Sequence, residues 1–359
     1  MCYRFTFTPS IVRNLQTIER VRESIRLTIL PPVIAEQLRL QAHIRSTHYS
    51  TRIEGNQLTL IETGQVIQQG RLFPDLERDV KEVKRYYQAL QQVEKWVEGK
   101  KKLTETRIRK IHALLYTGRR ARPTPYRDGQ NVIRDANGTI VYMPPEADDV
   151  PKLMGGLLDW VHRYEQELPI PVIAGVAHYQ FVTIHPFYDG NGRTARMLAT
   201  WLLYQGGYDL GKLYALEEFY ANDLPSYYQA LVTHPHHNYY FGRNEADITN
   251  WLDYFLKGMA VVLDQVAEEV ERQAKGKIDH ATATLLRPLD HRARRVLGLF
   301  AHSDLIKSSD VANLLGLSTR QARDLLTGWV DQGWLEIADP SRRGRKYRLA
   351  GAYQELVNR

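Results

Sequence analysis

One helical segment of this chain has no face to give to water. Thr194 to Tyr204 carries Met197, Leu198, Trp201, Leu202 and Leu203, apolar on almost all sides at helical spacing. Such a helix has to lie inside a bundle of other helices. A second apolar helix precedes it, from Ile170 to Ile184, with Val172, Ile173, Val176, Phe181 and Ile184. Between the two runs the string His185-Pro186-Phe187-Tyr188-Asp189-Gly190-Asn191-Gly192-Arg193-Thr194-Ala195-Arg196. A polar turn threaded between two buried helices is a place for chemistry rather than for solvation.

The residue types in that string suit a metal-bound polyphosphate held beside a base. His185, at the end of the first helix, can take a proton from an attacking hydroxyl. Asp189 is a hard carboxylate of the kind Mg²⁺ shares with substrate phosphates. Gly190, Asn191 and Gly192 let backbone N–H groups approach an anion at a helix N-terminus. Arg193 and Arg196 share one face of the first turn, where cations oppose the helix dipole unless an anion binds them. His178 lies on roughly the same face as His185, with no nucleophile or phosphate group beside it in sequence, and reads as a core histidine.

The string resembles the signature of the Fic family, HxFx[DE]GNGRxxR, with every fixed position filled. The resemblance implies an all-α fold, a Fic helical core with a β-hairpin flap. It also implies transfer of a nucleotide monophosphate, AMP from ATP with Mg²⁺, onto a Tyr, Thr or Ser hydroxyl of a target protein. The same roles follow for His185 as base, Asp189 as metal ligand, and Phe187, Gly190, Asn191, Gly192, Arg193 and Arg196 around the nucleotide. A phosphoryl-transferring, Doc-like branch carries lysine where this chain has Gly192; the glycine version resembles adenylyltransferases. Tyr227, Tyr228 and Leu231 follow in the manner of the family's adenine-side wall, and plain core packing explains them as well.

Farther upstream, Ser50-Thr51-Arg52-Ile53-Glu54-Gly55-Asn56 resembles the family's inhibitory motif, [ST]xxxE[GN]. Glu54 falls at a helix C-terminus, where the dipole disfavours a carboxylate and a cationic partner is expected. Ser50, four residues back, is expected to hydrogen-bond that carboxylate. The family implies Arg196 as the partner, so that Glu54 denies the γ-phosphate its seat and the enzyme restrains modification of targets and of itself. In some relatives the same glutamate supports removal of AMP.

Short β-prone runs at Val132-Ile133 and Ile140-Val141-Tyr142 flank an Asn137-Gly138 turn and predict a hairpin. It occupies the position of the family's flap, with Gln130, Asn131, Val132 and Ile133 available to an extended target segment; an ordinary structural hairpin is the competing reading. Pro31-Pro32 can open a helix that Gly55-Asn56 stop, with Val33, Leu38, Leu40, Ile44 and Ile53 as its apolar positions, and helical patterns also cover Asp75 to Lys95, Glu105 to Leu115 and Val150 to Tyr164. Beyond Pro288, helical segments and two short strands resemble a winged helix-turn-helix domain. The expected units are 1–100, helical with the inhibitory helix; 101–265, the catalytic core; 266–288, a linker; and 289–359, the winged helix.

Composition bounds the rest. The 359 residues are 43% hydrophobic and 25% charged, with a net charge of +7, the balance of a soluble globular protein. No stretch is long and apolar enough for a membrane span. Cys2 is the sole cysteine, so no intrachain disulfide forms, and the start lacks a secretory h-region. The cytoplasm is the expected compartment. Basic residues on the last domain (Arg320, Arg323, Arg342, Arg343, Arg345, Lys346) suit DNA phosphates, and protein contacts or a homodimer are equally open. His234, His236 and His237 read as a solvated loop, and Arg119, Arg120 and Arg122 as a basic loop beside the flap. Two further readings stand beside adenylyl transfer: a DNA-binding transcriptional regulator whose Fic core senses a nucleotide, and transfer of another nucleotide such as UMP.

Overall fold

The computed structural model describes residues 3–28, 30–118, 122–135, 137–274, 284–286, 288–301, 303–341, 344–354 and 356. Arg119, Arg120, Arg342 and Arg343 lie outside the described residues. Helices dominate: α1 (Pro9–Leu27), α2 (Pro32–Ile53), α3 (Leu60–Gln69), α4 (Glu77–Glu98), α5 (Glu105–Tyr116), α6 (Val150–Tyr164), α7 (Ile170–Ile184), α8 (Asn191–Gln205), α9 (Leu216–Asn222), α10 (Leu224–Leu231) and α11 (Thr249–Ala274).

The two apolar segments are α7 and α8, and they pack on each other at the centre. Trp201, Phe181 and Ile184 have no exposed surface. One hydrophobic core runs from Ile11 on α1 to Ala267 on α11, so the first hundred residues share the core of α7 and α8, and Leu58, Val66, Val80 and Val83 add a small cluster of their own between α3 and α4. The 26-residue helix α11 packs along α1 and α7. It continues through Ala274, so a linker cannot begin at residue 266; residues 275–283 of the expected linker lie outside the described residues.

The hairpin forms, with its first strand one residue later than expected. β1 is Ile133–Arg134 and β2 is Ile140–Tyr142, antiparallel, with Ile133 opposite Tyr142 and an irregularity between Ile133 and Arg134. Val132 lies outside the strand, because its backbone N–H is taken by the Asn131 side chain at 2.9 Å.

A second core lies in the last part of the chain. It contains α12 (His291–Leu297), β3 (Ile306–Lys307), α13 (Ser308–Leu315), α14 (Thr319–Asp331), β4 (Leu335–Asp339) and β5 (Lys346–Leu349), with the strands in the antiparallel order β3-β5-β4. β3 is an element the sequence pattern does not announce. This unit docks on α4 and α2 through charge: Arg295 meets Glu98, Glu98 meets Lys212 at 2.6 Å, Lys212 meets Glu94 at 3.1 Å, and Glu94 meets His43 at 2.8 Å. Among the described residues no helix is long and apolar enough to cross a membrane.

Candidate active site

The turn between α7 and α8 is closed by its own residues. α7 ends at His185, whose backbone is left-handed (φ 52°, ψ 59°); a β-carbon makes that conformation cost about 1–2 kcal/mol. Asn191 then folds back on Phe187, accepting from its N–H at 3.0 Å and donating to its carbonyl at 2.7 Å. Asn191 was expected to cradle an anion; its side chain is spent on closing this loop, and only its backbone is left for that purpose. Gly190 supplies the left-handed residue that opens α8 (φ 74°). The first N–H groups of any helix lack intrahelical acceptors, so those of α8 face the mouth of the turn.

The Phe187 side chain, expected around the nucleotide, is likewise turned into the core. Its ring is buried and stacks on His112 of α5 at 3.8 Å. His112 is a residue the sequence reading missed. It bonds the Asp189 carbonyl at 2.8 Å through Nε2 and Thr124 at 2.9 Å through Nδ1, and burial pushes its pKa down. That leaves the Asp189 backbone fixed and its side chain open to solvent: the carboxylate is 57% exposed, with Oδ1 receiving the Gly190 N–H at 2.6 Å.

His185 is partly buried, and Nδ1 donates to the Val182 carbonyl at 3.2 Å. A carbonyl only accepts, so the proton sits on Nδ1 and the Nε2 lone pair is available. Burial, aided by the charge of Arg127, pushes the imidazole pKa down to about 4, and the ring is neutral at physiological pH. His178, fully buried on α7 and bonded to the Tyr227 hydroxyl at 2.9 Å, is pushed by burial down to about 3. It is a core residue.

Both signature arginines are already paired. Arg196 is buried and gives Nη2 to Glu54 at 2.8 Å and to the Ser50 carbonyl at 2.9 Å, and Nε to the Ser50 hydroxyl at 2.8 Å. Burial opposes the guanidinium charge, but Glu54 overrides it and raises the Arg196 pKa. Ser50 therefore serves Arg196 and not, as expected, the Glu54 carboxylate, because α2 turns that hydroxyl toward α8. Arg193 is held by Glu82 of α4, which the sequence reading missed; their side chains are 9% and 12% exposed. Burial raises the Glu82 pKa against the opposing pull of Arg193. Asn56, two residues beyond Glu54, donates to Glu82 at 2.8 Å. The other edge of Arg193 lies 3.7 Å from Asp189.

Two of the expected ligand aromatics separate. Tyr227 is 2% exposed and stacks on Tyr220 with ring centroids 5.0 Å apart, so it belongs to the core. Tyr228 next to it is 50% exposed. At the flap, Gln130 bonds the Pro144 carbonyl at 3.0 Å and Asn131 the Tyr188 carbonyl at 3.3 Å, so these side chains anchor the base of the hairpin. Val132 and Ile133 are partly buried. His234 and His236 stack on each other in a loop, and among the described residues no group of three or more His, Cys, Asp or Glu could hold a metal ion.

Comparison with known proteins fits this geometry. The model of the Fic/DOC family matches residues 102–203. The sequence is 31% identical over 174 residues to the protein adenylyltransferase Fic of Nematostella vectensis, across 47% of this chain and 39% of that protein. It is 27% identical over 202 residues to the protein of the same name from Drosophila grimshawi, across 55% of this chain and 40% of that one. The chain thus spans less than half the length of these two relatives. The fold is similar to a crystal structure of a Fic family protein from Desulfovibrio desulfuricans G20, with a TM-score of 0.61 and 26% identity over 98% of this chain and 99% of that one.

Proposed function

We propose, from the Fic/DOC family domain that this chain carries, that it is a protein adenylyltransferase held in check by its own α2. The reading rests on one observation: the two arginines that suit a polyphosphate are each occupied by a carboxylate of this chain, Glu54 on Arg196 and Glu82 on Arg193. A buried guanidinium that loses its partner is costly, so this is a site that a phosphate can take over from an acid.

In this reading the ATP phosphates lie against the first turn of α8, between Arg193 and Arg196. Asp189 is an exposed carboxylate without companion ligands, which suits an Mg²⁺ that arrives on the nucleotide rather than a resident ion. The ion would neutralise charge on the departing phosphates. His185 takes the proton of the target hydroxyl at Nε2, the hydroxyl oxygen bonds to the α-phosphorus, and pyrophosphate leaves. With Glu54 on Arg196 the γ-phosphate has no seat, and the α-phosphorus is not aligned for attack.

The test is incubation of the wild-type, Glu54→Gly and Glu54→Gly/His185→Ala chains with Mg²⁺ and labelled ATP, UTP, GTP or CTP, read by intact mass. The expected result is a gain of AMP on the Glu54→Gly chain and none on the double variant. A different adduct would reassign the base, as the UMP reading requires. Labelling that does not need His185 would remove the base.

A second reading has its own support, that of a DNA-binding regulator. A groove of about 360 Å³ in the C-terminal unit is lined by Lys307, Arg323, Arg345 and the hydroxyls of Ser308, Ser309, Thr319 and Thr327, with no carboxylate among the described lining residues. Cations and hydroxyls of this kind suit phosphate contacts by a winged helix. A gel shift with duplex DNA that weakens steeply with salt is expected if this is so; no shift at low salt would leave the unit to protein contacts.

A further inference from the structure

We propose that Arg127 is a positioning residue that ties the flap to the catalytic turn, so that the hairpin and His185 move as one body. The proposal rests on the reading of His185 as the base. Arg127 precedes the hairpin, is 3% exposed, and spends its whole fork on backbone and flap. Nε donates to the His185 carbonyl at 2.9 Å, and the Arg127 backbone N–H donates to the Pro186 carbonyl at 3.0 Å. Nη1 donates to the Gly129 carbonyl at 3.0 Å and to Gln130 Oε1 at 3.1 Å, at the entry to the hairpin. Nη2 donates to the Pro145 carbonyl, at its exit.

One planar side chain therefore spans both legs of the flap and the strained residue that ends α7. His185 holds a left-handed backbone, which persists only where its surroundings fix it, and the Nε bond to its carbonyl is part of that fixing. A target segment that displaces the hairpin pulls on the same guanidinium. Lysine has the charge but not the fork, and cannot bridge three directions at once. The charged groups acting on the His185 ring are Arg127, which disfavours its protonation, and Glu54 and Asp189, which favour it.

Arg127→Lys and Arg127→Met separate charge from geometry. The His185 imidazole is titrated by NMR in the full chain with labelled histidine, its signal identified by loss in His185→Ala. Transfer is measured in full chains carrying Glu54→Gly. In Arg127→Met the His185 midpoint is expected to move up but to stay well below 6.5, since burial is the larger cause of its depression; in Arg127→Lys it is expected to stay near that of the parent chain. Both variants should lose at least tenfold in kcat at unchanged KM for ATP. Should Arg127→Met fail to fold, the lysine variant carries the test through its kcat against KM. A kcat within twofold of the parent in Arg127→Lys would overturn the proposal, as would a rise in KM for ATP that accounts for the whole loss. If His185→Ala transfers normally, it is the base assignment that fails. The chemical shift and midpoint of His185 in Arg127→Met then decide the coupling alone, an unmoved signal refuting it.

Discussion

A β-carbon placed on Gly192 would stand 2.5 Å from Glu54 Oε1. Gly192 in the first turn of α8 and the acid at the end of α2 thus occupy adjoining space, and the Glu54–Arg196 contact needs this residue to have no side chain. The clashing atom is the far end of a flexible and partly exposed carboxylate, so it can yield, and yielding takes it off Arg196.

Gly192→Ala should therefore destabilise the wild-type chain by about 1–3 kcal/mol, and should cost close to nothing more in the Glu54→Gly background. A double-mutant cycle by denaturant unfolding checks this. Additive costs would mean that the alanine strains the turn itself and not the contact with Glu54.

Glu82 and Arg193 form a nearly buried pair, and removing one member leaves the other charged and unpartnered. Glu82→Ala is expected to lose about 3–5 kcal/mol in the absence of nucleotide. Phosphate oxygens can replace the missing carboxylate, so Mg-ATP should raise the melting temperature more in Glu82→Ala than in the wild-type chain. An equal rise in both would place the phosphates away from Arg193.

The imidazole of His185 is depressed from the ordinary 6.5 to about 4, and that of His178 to about 3. The fold excludes protons that the unfolded chain binds below pH 6.5, so this part of the stability is fully present above 6.5 and is lost as pH falls toward 4 and below. Unfolding free energy measured against pH should decline across that window, and His178→Phe should flatten its lower part. Transfer by Glu54→Gly should keep a deprotonated base down to about pH 5. An acid limb centred at 6.5 would mean that His185 titrates as it does in water.

The turn itself was readable because its chemistry is contiguous. Gly190 and the helix that starts at Asn191 lie next to one another, and local geometry decides them. α11 was not read from the sequence: its last turns, from Gln265 to Ala274, are largely polar and resemble the start of a linker, although Trp251, Phe255, Met259 and Leu263 upstream stand at helical spacing. His112, Glu82 and Arg127 carried no such signal. Each is a polar residue in an otherwise ordinary helix or loop, and each matters only through a partner on a distant segment.

From residues alone came a bundle with two buried helices, a turn that can admit an anion, and an acid at a helix end in need of a cation. Short-range sterics and periodicity dictate those. Packing supplied the rest: which carboxylate reaches which guanidinium, that Ser50 serves Arg196 and not Glu54, and that Tyr227 is sealed while Tyr228 is open. Charge pairing and burial depend on distances across the bundle, and these exist only once α2, α4, α5 and α8 have come together.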